Sequence, residues 1–150
     1  MSSGQTHDKV TLALAPFILV GAWYFVGWLA LIVLGTFLFA GFAFNGDLDL
    51  KSQVYYRWFF MRWIWIPYQM YFTHRCIWTH GPILGTAIRV SWIALWFGVV
   101  GAMCGILPLI VPFLISYKIQ FLLGLIGLEL GSLSHTFMDW SSTGFKKLFN

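Results

Sequence analysis

Histidine and aspartate are the side chains of this sequence best able to do chemistry, and they fall in four short patches. These are His7-Asp8, Asp47-Leu48-Asp49, His74 with His80, and His135 with Asp139. His135 and Asp139 are four residues apart, so on a helix both project from one face, as paired metal ligands do. Asp47 and Asp49 follow Gly46 as an alternating acid pair at the mouth of a helix, able to bridge or bracket cations. Imidazole and carboxylate without thiolate suit zinc, manganese or iron, or magnesium where fewer histidines take part. Up to eight candidate ligands exceed what one tetrahedral ion needs. Two divalent ions with open positions for water is the natural count, with zinc the first expectation. Each residue alone has a plainer reading. A histidine at a membrane interface is ordinarily just polar, and an aspartate at a helix end is ordinarily a cap. A shared site follows only if the elements bring all four patches to one place.

Those elements are expected to be membrane helices. Of the 150 residues, 59% are hydrophobic, 20% aromatic and only 9% charged, against roughly 25% charged in a typical soluble domain. So few charges would leave a water-soluble fold with large exposed apolar patches. Residues 10–44 carry no charged side chain, and one helix of that length would reach roughly 50 Å, well beyond a hydrocarbon core of about 30 Å. Two short spans, about 10–26 and 28–44, with a turn at Gly27, are the economical reading. Further spans are expected at about 83–107 and 119–135, with Pro108 and Pro112 marking the turn between them. The fold class is thus an all-α integral membrane bundle of about four spans, forming a single domain over residues 1–150. The N-terminus lacks a positive run and its apolar stretch is too long for a signal-peptide core, so it is expected to persist in the mature protein.

Residues 45–81 read differently. Asp47, Asp49, Lys51, Arg57, Arg62, His74, Arg75 and His80 stand among many Trp, Tyr and Phe. Trp and Tyr favour the head-group level, and arginine can snorkel to it. An interfacial segment lying on the membrane is expected, helical over 52–66 and broken at Pro67. Aromatic anchoring and substrate contact are equally open readings of it.

With an even number of crossings, every histidine and aspartate patch falls on one face. That face also holds Lys9, Lys51, Arg57, Arg62, Arg75, Arg89, Lys146 and Lys147, while the far turn has only Lys118. The bias makes the site face cytoplasmic. The net charge of +4 comes from scattered cations, which suits anionic lipid rather than nucleic acid. Glu129, within the last expected span, is costly in lipid unless paired, and Arg89 at similar depth is its expected partner. Arg75 has the planar fork that suits phosphate. Cys76 and Cys104 read as buried free thiols.

The run Tyr56-Arg57-Trp58, Arg62-Trp63-Ile64-Trp65-Ile66-Pro67-Tyr68-Gln69, His74-Arg75, Trp78-Thr79-His80-Gly81-Pro82 and Gly85-Thr86 resembles an uncharacterised family of small bacterial membrane proteins described as metal-binding. That family is similar in turn to the bacterial membrane-bound metal-dependent hydrolases, with an early His, a Pro-Asp-x-Asp element, a His-Arg…His element and a late His-x-x-x-Asp. Gly46 stands where the pattern usually has Pro, and Thr79 where it usually has Ser. The resemblance covers nearly the whole chain. It implies His7, Asp47, Asp49, His74, His80, His135 and Asp139 as metal ligands.

Two functions from different classes follow. One is a metal-dependent hydrolase of an ester or phosphoester at the membrane, with Arg75 orienting a phosphate, Asp8 or Asp49 as general base, and the aromatic segment admitting a lipid-like substrate. The other is a non-catalytic metal-binding membrane protein in which ions clamp the helices or serve assembly.

Overall fold

The computed structural model describes residues 4–74 and 76–148, the side chains of residues 142–148 excepted. Among the described residues every regular element is helical. The long apolar run forms two helices, α1 (Gly4–Val26) and α2 (Ala30–Ala43), separated by a tight 3-10 turn at Gly27–Leu29. Gly27 takes φ +56°, a conformation that costs any residue with a Cβ, so the chain reverses where glycine permits it. α1 folds back along α2, and Thr11 near the start of α1 touches Gly41 near the end of α2. α1 begins earlier than expected, which places His7 and Asp8 inside the helix rather than ahead of it.

The segment that follows departs from the expected helix over 52–66. α3 (Gln53–Tyr56) is one turn long, a 3-10 turn covers Phe59–Ile64, and α4 spans Trp65–Tyr71. Phe59 takes φ +48°, which no continuous α-helix can accommodate. Pro67 does not break a helix. It sits in the first turn of α4, where its missing N–H would have no intrahelical partner anyway. Nor does the segment simply lie on the surface. Val54, Tyr55, Ile64, Trp65 and Tyr68 turn inward and form a core with Phe44 and Leu48. Polar tethers hold it there: Trp58 Nε1 donates to Ala43 O (2.7 Å), Gln69 Nε2 to Leu48 O (3.0 Å) and Trp92 Nε1 to Ile64 O (2.9 Å). The opposite side of the same segment exposes Phe59, Phe60, Trp63, Met70 and Tyr71.

After α5 (Ile77–His80) come α6 (Leu84–Met103), α7 (Leu107–Ser116) and α8 (Lys118–Leu148). The prolines expected to mark a bare turn instead belong to α7, with Pro108 in its first turn and Pro112 inside it. A Cβ on Gly101 of α6 would touch Ile110 and Leu107, so α7 packs back on α6. α8 runs well past residue 135 and carries both His135 and Asp139. It lies against α2 through Gly127 and Gly131, where a Cβ would collide with the backbone carbonyl oxygens of Val33 and Phe37 respectively. Small residues let two helices approach this closely. By length and composition, three stretches could cross a membrane: Gly4–Asp49, Leu84–Met103 and Lys118–Ser141.

Among the described residues Arg89 and Glu129 make no direct ion-pair contact, although the Glu129 charge still acts on Arg89, and each is held by its own hydrogen bonds. Arg89, 0% exposed, donates to Thr79 O (2.6 Å), Ser132 Oγ (2.6 Å) and Thr86 Oγ1 (3.2 Å). Glu129 Oε1 accepts the N–H of Ile83 (2.9 Å), the residue just ahead of α6, whose φ is +63°. Both interactions tie the α5–α6 corner to α8. Glu129→Gln keeps the acceptor and is expected to unfold at the wild-type temperature in detergent. Glu129→Ala should be less stable by about 1 kcal/mol. Equal losses in the two variants would point back to an ion pair.

Candidate metal centre

The four patches meet at one end of the bundle, each set by its own local structure. Asn45 fixes the turn at Gly46–Asp49: its Oδ1 accepts from Asp47 N (3.1 Å) and its Nδ2 donates to Gly41 O (3.0 Å). His80 ends α5, and the Arg89 bond to Thr79 O holds that short helix in place. His135 and Asp139 lie one turn apart on the buried face of α8, with Ser132 and Thr136, while Phe137 and Trp140 face outward.

Asp47, His80, His135 and Asp139 form one group whose candidate ligand atoms all lie within 4.8 Å of one another. His135 Nε2 is 3.4 Å from Asp47 Oδ1 and 3.5 Å from Asp139 Oδ2. His80 Nε2 is 3.9 Å and 4.0 Å from the same two carboxylates. Asp49, His74 and His80 form a second group. There, His74 Nδ1 is 2.8 Å from Asp49 Oδ1, and His80 Nδ1 is 3.6 Å from Asp49 Oδ2 and 2.9 Å from Thr79 Oγ1. His80 therefore serves both groups through opposite ring nitrogens. His7 flanks the first group, with Nε2 3.5 Å from Asp139 Oδ1 and its ring centroid 4.2 Å from that of His135. All seven expected ligands thus come together. Arg75 lies outside the described residues.

Three features of this arrangement fit a cation. Two carboxylates converging this closely repel by on the order of 3 kcal/mol at an effective dielectric near 20, which a cation between them reverses. Among the described residues, the buried Nε2 atoms of His80 and His135 and the buried Oδ2 of Asp49 have no hydrogen-bond partner, and such groups are costly to leave unsatisfied. The donors are imidazole nitrogens and carboxylate oxygens, a set suited to zinc, manganese or iron. Cys76 and Cys104 stand outside both groups, and Cys104 is exposed rather than buried.

Gly46 has a reason to differ from proline. A Cβ at this position would lie 2.7 Å from His80 Nε2, so a side chain here would have to displace the His80 ring from its present position. Gly46→Ala is expected to push His80 aside and weaken metal binding by at least tenfold with little change in helix content, measured by competition with a chelating dye. An unchanged affinity would remove this role.

Beside the first group lies a cavity of about 260 Å³, lined among others by His7, Asp8, Asp47, Ser52, Arg57 and His135. Asp8 is not available there as a base, since Arg57 grips both its oxygens. Asp49 is wholly buried and faces His74. Tyr68 lies nearby, and burial pushes its hydroxyl up to about 12, opposed by Arg89, so it stays a neutral phenol. Asn45, Arg57, Thr79, Arg89 and Ser132 help hold these elements in place, and no local spacing in the sequence announces them.

Buried imidazoles and carboxylates drawn from α1, the Gly46–Asp49 turn, α5 and α8 into one end of a helical bundle define a metal-binding protein. The chain belongs to the family described as "Uncharacterized metal-binding protein (DUF2227)", whose family model matches residues 2–149. Over 58 residues it is 36% identical to an uncharacterized protein of Aquifex aeolicus (strain VF5), a stretch covering 38% of this chain and 40% of that protein. No solved structure matches.

Proposed function

We propose that this protein is a membrane-embedded, metal-dependent hydrolase of an ester or phosphoester at the cytoplasmic face of a bacterial inner membrane. The observation that carries the reading is the first ligand group opening onto a cavity, since a purely structural metal site is closed by its ligands. Asp47, His80, His135 and Asp139 would hold one ion, and Asp49, His74 and His80 a second. Divalent ions held there supply Lewis acidity that polarises a phosphoryl or acyl oxygen. His7, on the cavity wall beside Asp139 and His135, would complete the ligand shell of the first ion. Three stretches apolar enough to cross a membrane and the exposed aromatics of 59–71 support a lipid setting. Lys9, Lys51 and Arg62 at the site end, against Lys118 at the other end of α8, support the cytoplasmic orientation.

The drawing of ligands from four separate segments also supports a second reading, in which the ions staple the bundle without catalysis. One experiment separates the two. Detergent-purified protein is reconstituted with zinc, manganese or iron and offered p-nitrophenyl phosphate and bis(p-nitrophenyl) phosphate, with circular dichroism before and after chelation. Turnover that stops on chelation while helix content persists supports the hydrolase. No turnover with any metal, with loss of helix on chelation, supports the staple and sinks the catalytic reading.

A further inference from the structure

We propose that Arg57 is the anion-binding residue of this site and that the cavity takes a phosphoryl group, held between the first ligand group and the Arg57 guanidinium. The inference rests on the metal-centre reading and specifies its ligand.

Arg57 closes α3 and lines the cavity on which Asp47, His7 and His135 also open. Its guanidinium is held rigidly on one edge. Nη1 donates to Asp8 Oδ1 (2.9 Å) and to Phe42 O (2.7 Å), and Nη2 donates to Asp8 Oδ2. A guanidinium has five N–H donors in a planar fork, and these bonds use the two on Nη1 and one on Nη2. The Nε–H and the second Nη2–H, which make up the other bidentate edge, have no protein partner among the described residues. The Arg57 side chain is 28% exposed and lines the cavity. Asp8 and Phe42 O thus orient the guanidinium as well as neutralise it, and a pre-oriented fork loses little freedom on binding an anion.

A count of ligand oxygens favours phosphoryl over carboxylate. A carboxylate has two oxygens and spends both on a fork. A phosphoryl group has three non-ester oxygens when it is a monoester, so two can meet the fork while another faces the ligand group. Arg57, 18 positions before Arg75, is a guanidinium that the fold carries to the cavity. The phosphoryl group could belong to a lipid headgroup or to a soluble phosphate ester. Both present the same chemistry.

The probe is inorganic phosphate, titrated by calorimetry into detergent-purified protein carrying a measured metal load, with Arg57→Lys and Arg57→Gln alongside. The expected result is saturable binding by the wild type, at least tenfold weaker in Arg57→Lys and abolished in Arg57→Gln, with metal content equal in all three. Phosphate binding that is unchanged in Arg57→Gln overturns the proposal. So does a metal-loaded wild type that binds no phosphate, an outcome that leaves the metal centre standing. Loss of metal in both variants also overturns it, because Arg57 would then only hold α1 in place. A wild type that takes up no metal removes the underlying reading and this one with it. Nanodiscs of phosphatidic acid or of phosphatidylcholine, compared with glycerol phosphate, identify the source: displacement of phosphate by phosphatidic acid alone assigns the lipid, and displacement by glycerol phosphate assigns a soluble ester.

Discussion

His80→Ala is expected to abolish metal binding, while His74→Ala leaves a measurable site. The difference follows from one imidazole serving two groups. His80 Nε2 faces Asp47 and Asp139, and its Nδ1 faces Asp49. Its removal takes a ligand from each group and leaves clustered carboxylates with fewer partners. His74 belongs to the second group alone, so its loss keeps Asp47, His80, His135 and Asp139 intact. Titration against a chelating dye should show near-complete loss of binding for His80→Ala. For His74→Ala it should show loss of one equivalent, or a 10–100-fold drop in affinity if His74 acts only by orienting Asp49. Equal losses in the two variants would break the shared-ring arrangement.

The second large effect is expected far from any ligand. Gly127 and Gly131 allow α8 to lie against the backbone of α2, and a side chain at either position meets a carbonyl oxygen of Val33 or Phe37. A backbone group cannot rotate away as a side chain can. Gly131→Val should therefore separate the helices, costing roughly 1–3 kcal/mol of stability. It should also draw His135 and Asp139 away from Asp47, which follows directly from the end of α2. Metal affinity should then fall although no ligand has changed. Gly35→Ala is the control, since a Cβ there has nothing within 4 Å. Thermal unfolding with and without metal reads both effects, and a Gly131→Val protein with wild-type affinity would contradict this coupling.

Much of the site was legible in the sequence because its signals are local or follow from chain reversal. The i, i+4 spacing of His135 and Asp139 needs only a helix. Gly27 in an uncharged run too long for one span suggests the hairpin that returns residues 45–49 to the level of His7. What hydropathy does not carry is rotation about a helix axis. Arg89 and Glu129 share a depth, yet Arg89 turns to Thr79 and Ser132 while Glu129 accepts the Ile83 N–H. Contacts distant in sequence were equally hidden. Arg57 and Asp8 are 49 residues apart, and nothing in either patch announces the other. Pro67 shows a third limit: proline both ends helices and starts them, and here it lies in the first turn of α4. The composition of the aromatic segment suits an interface and points to a surface element. Its inward-facing half, built on Trp65 and Tyr68, proved to be the core beneath the site.

The central claim is that these buried histidines and aspartates hold metal, and elemental analysis of the purified protein tests it most directly. Plasma mass spectrometry on detergent-purified wild type and Asp139→Asn should find about two equivalents of zinc, manganese or iron per chain in the first. The variant should lose metal while circular dichroism shows the same helix content. A wild type with no bound metal even after reconstitution, or a variant with an undiminished load, would contradict the account.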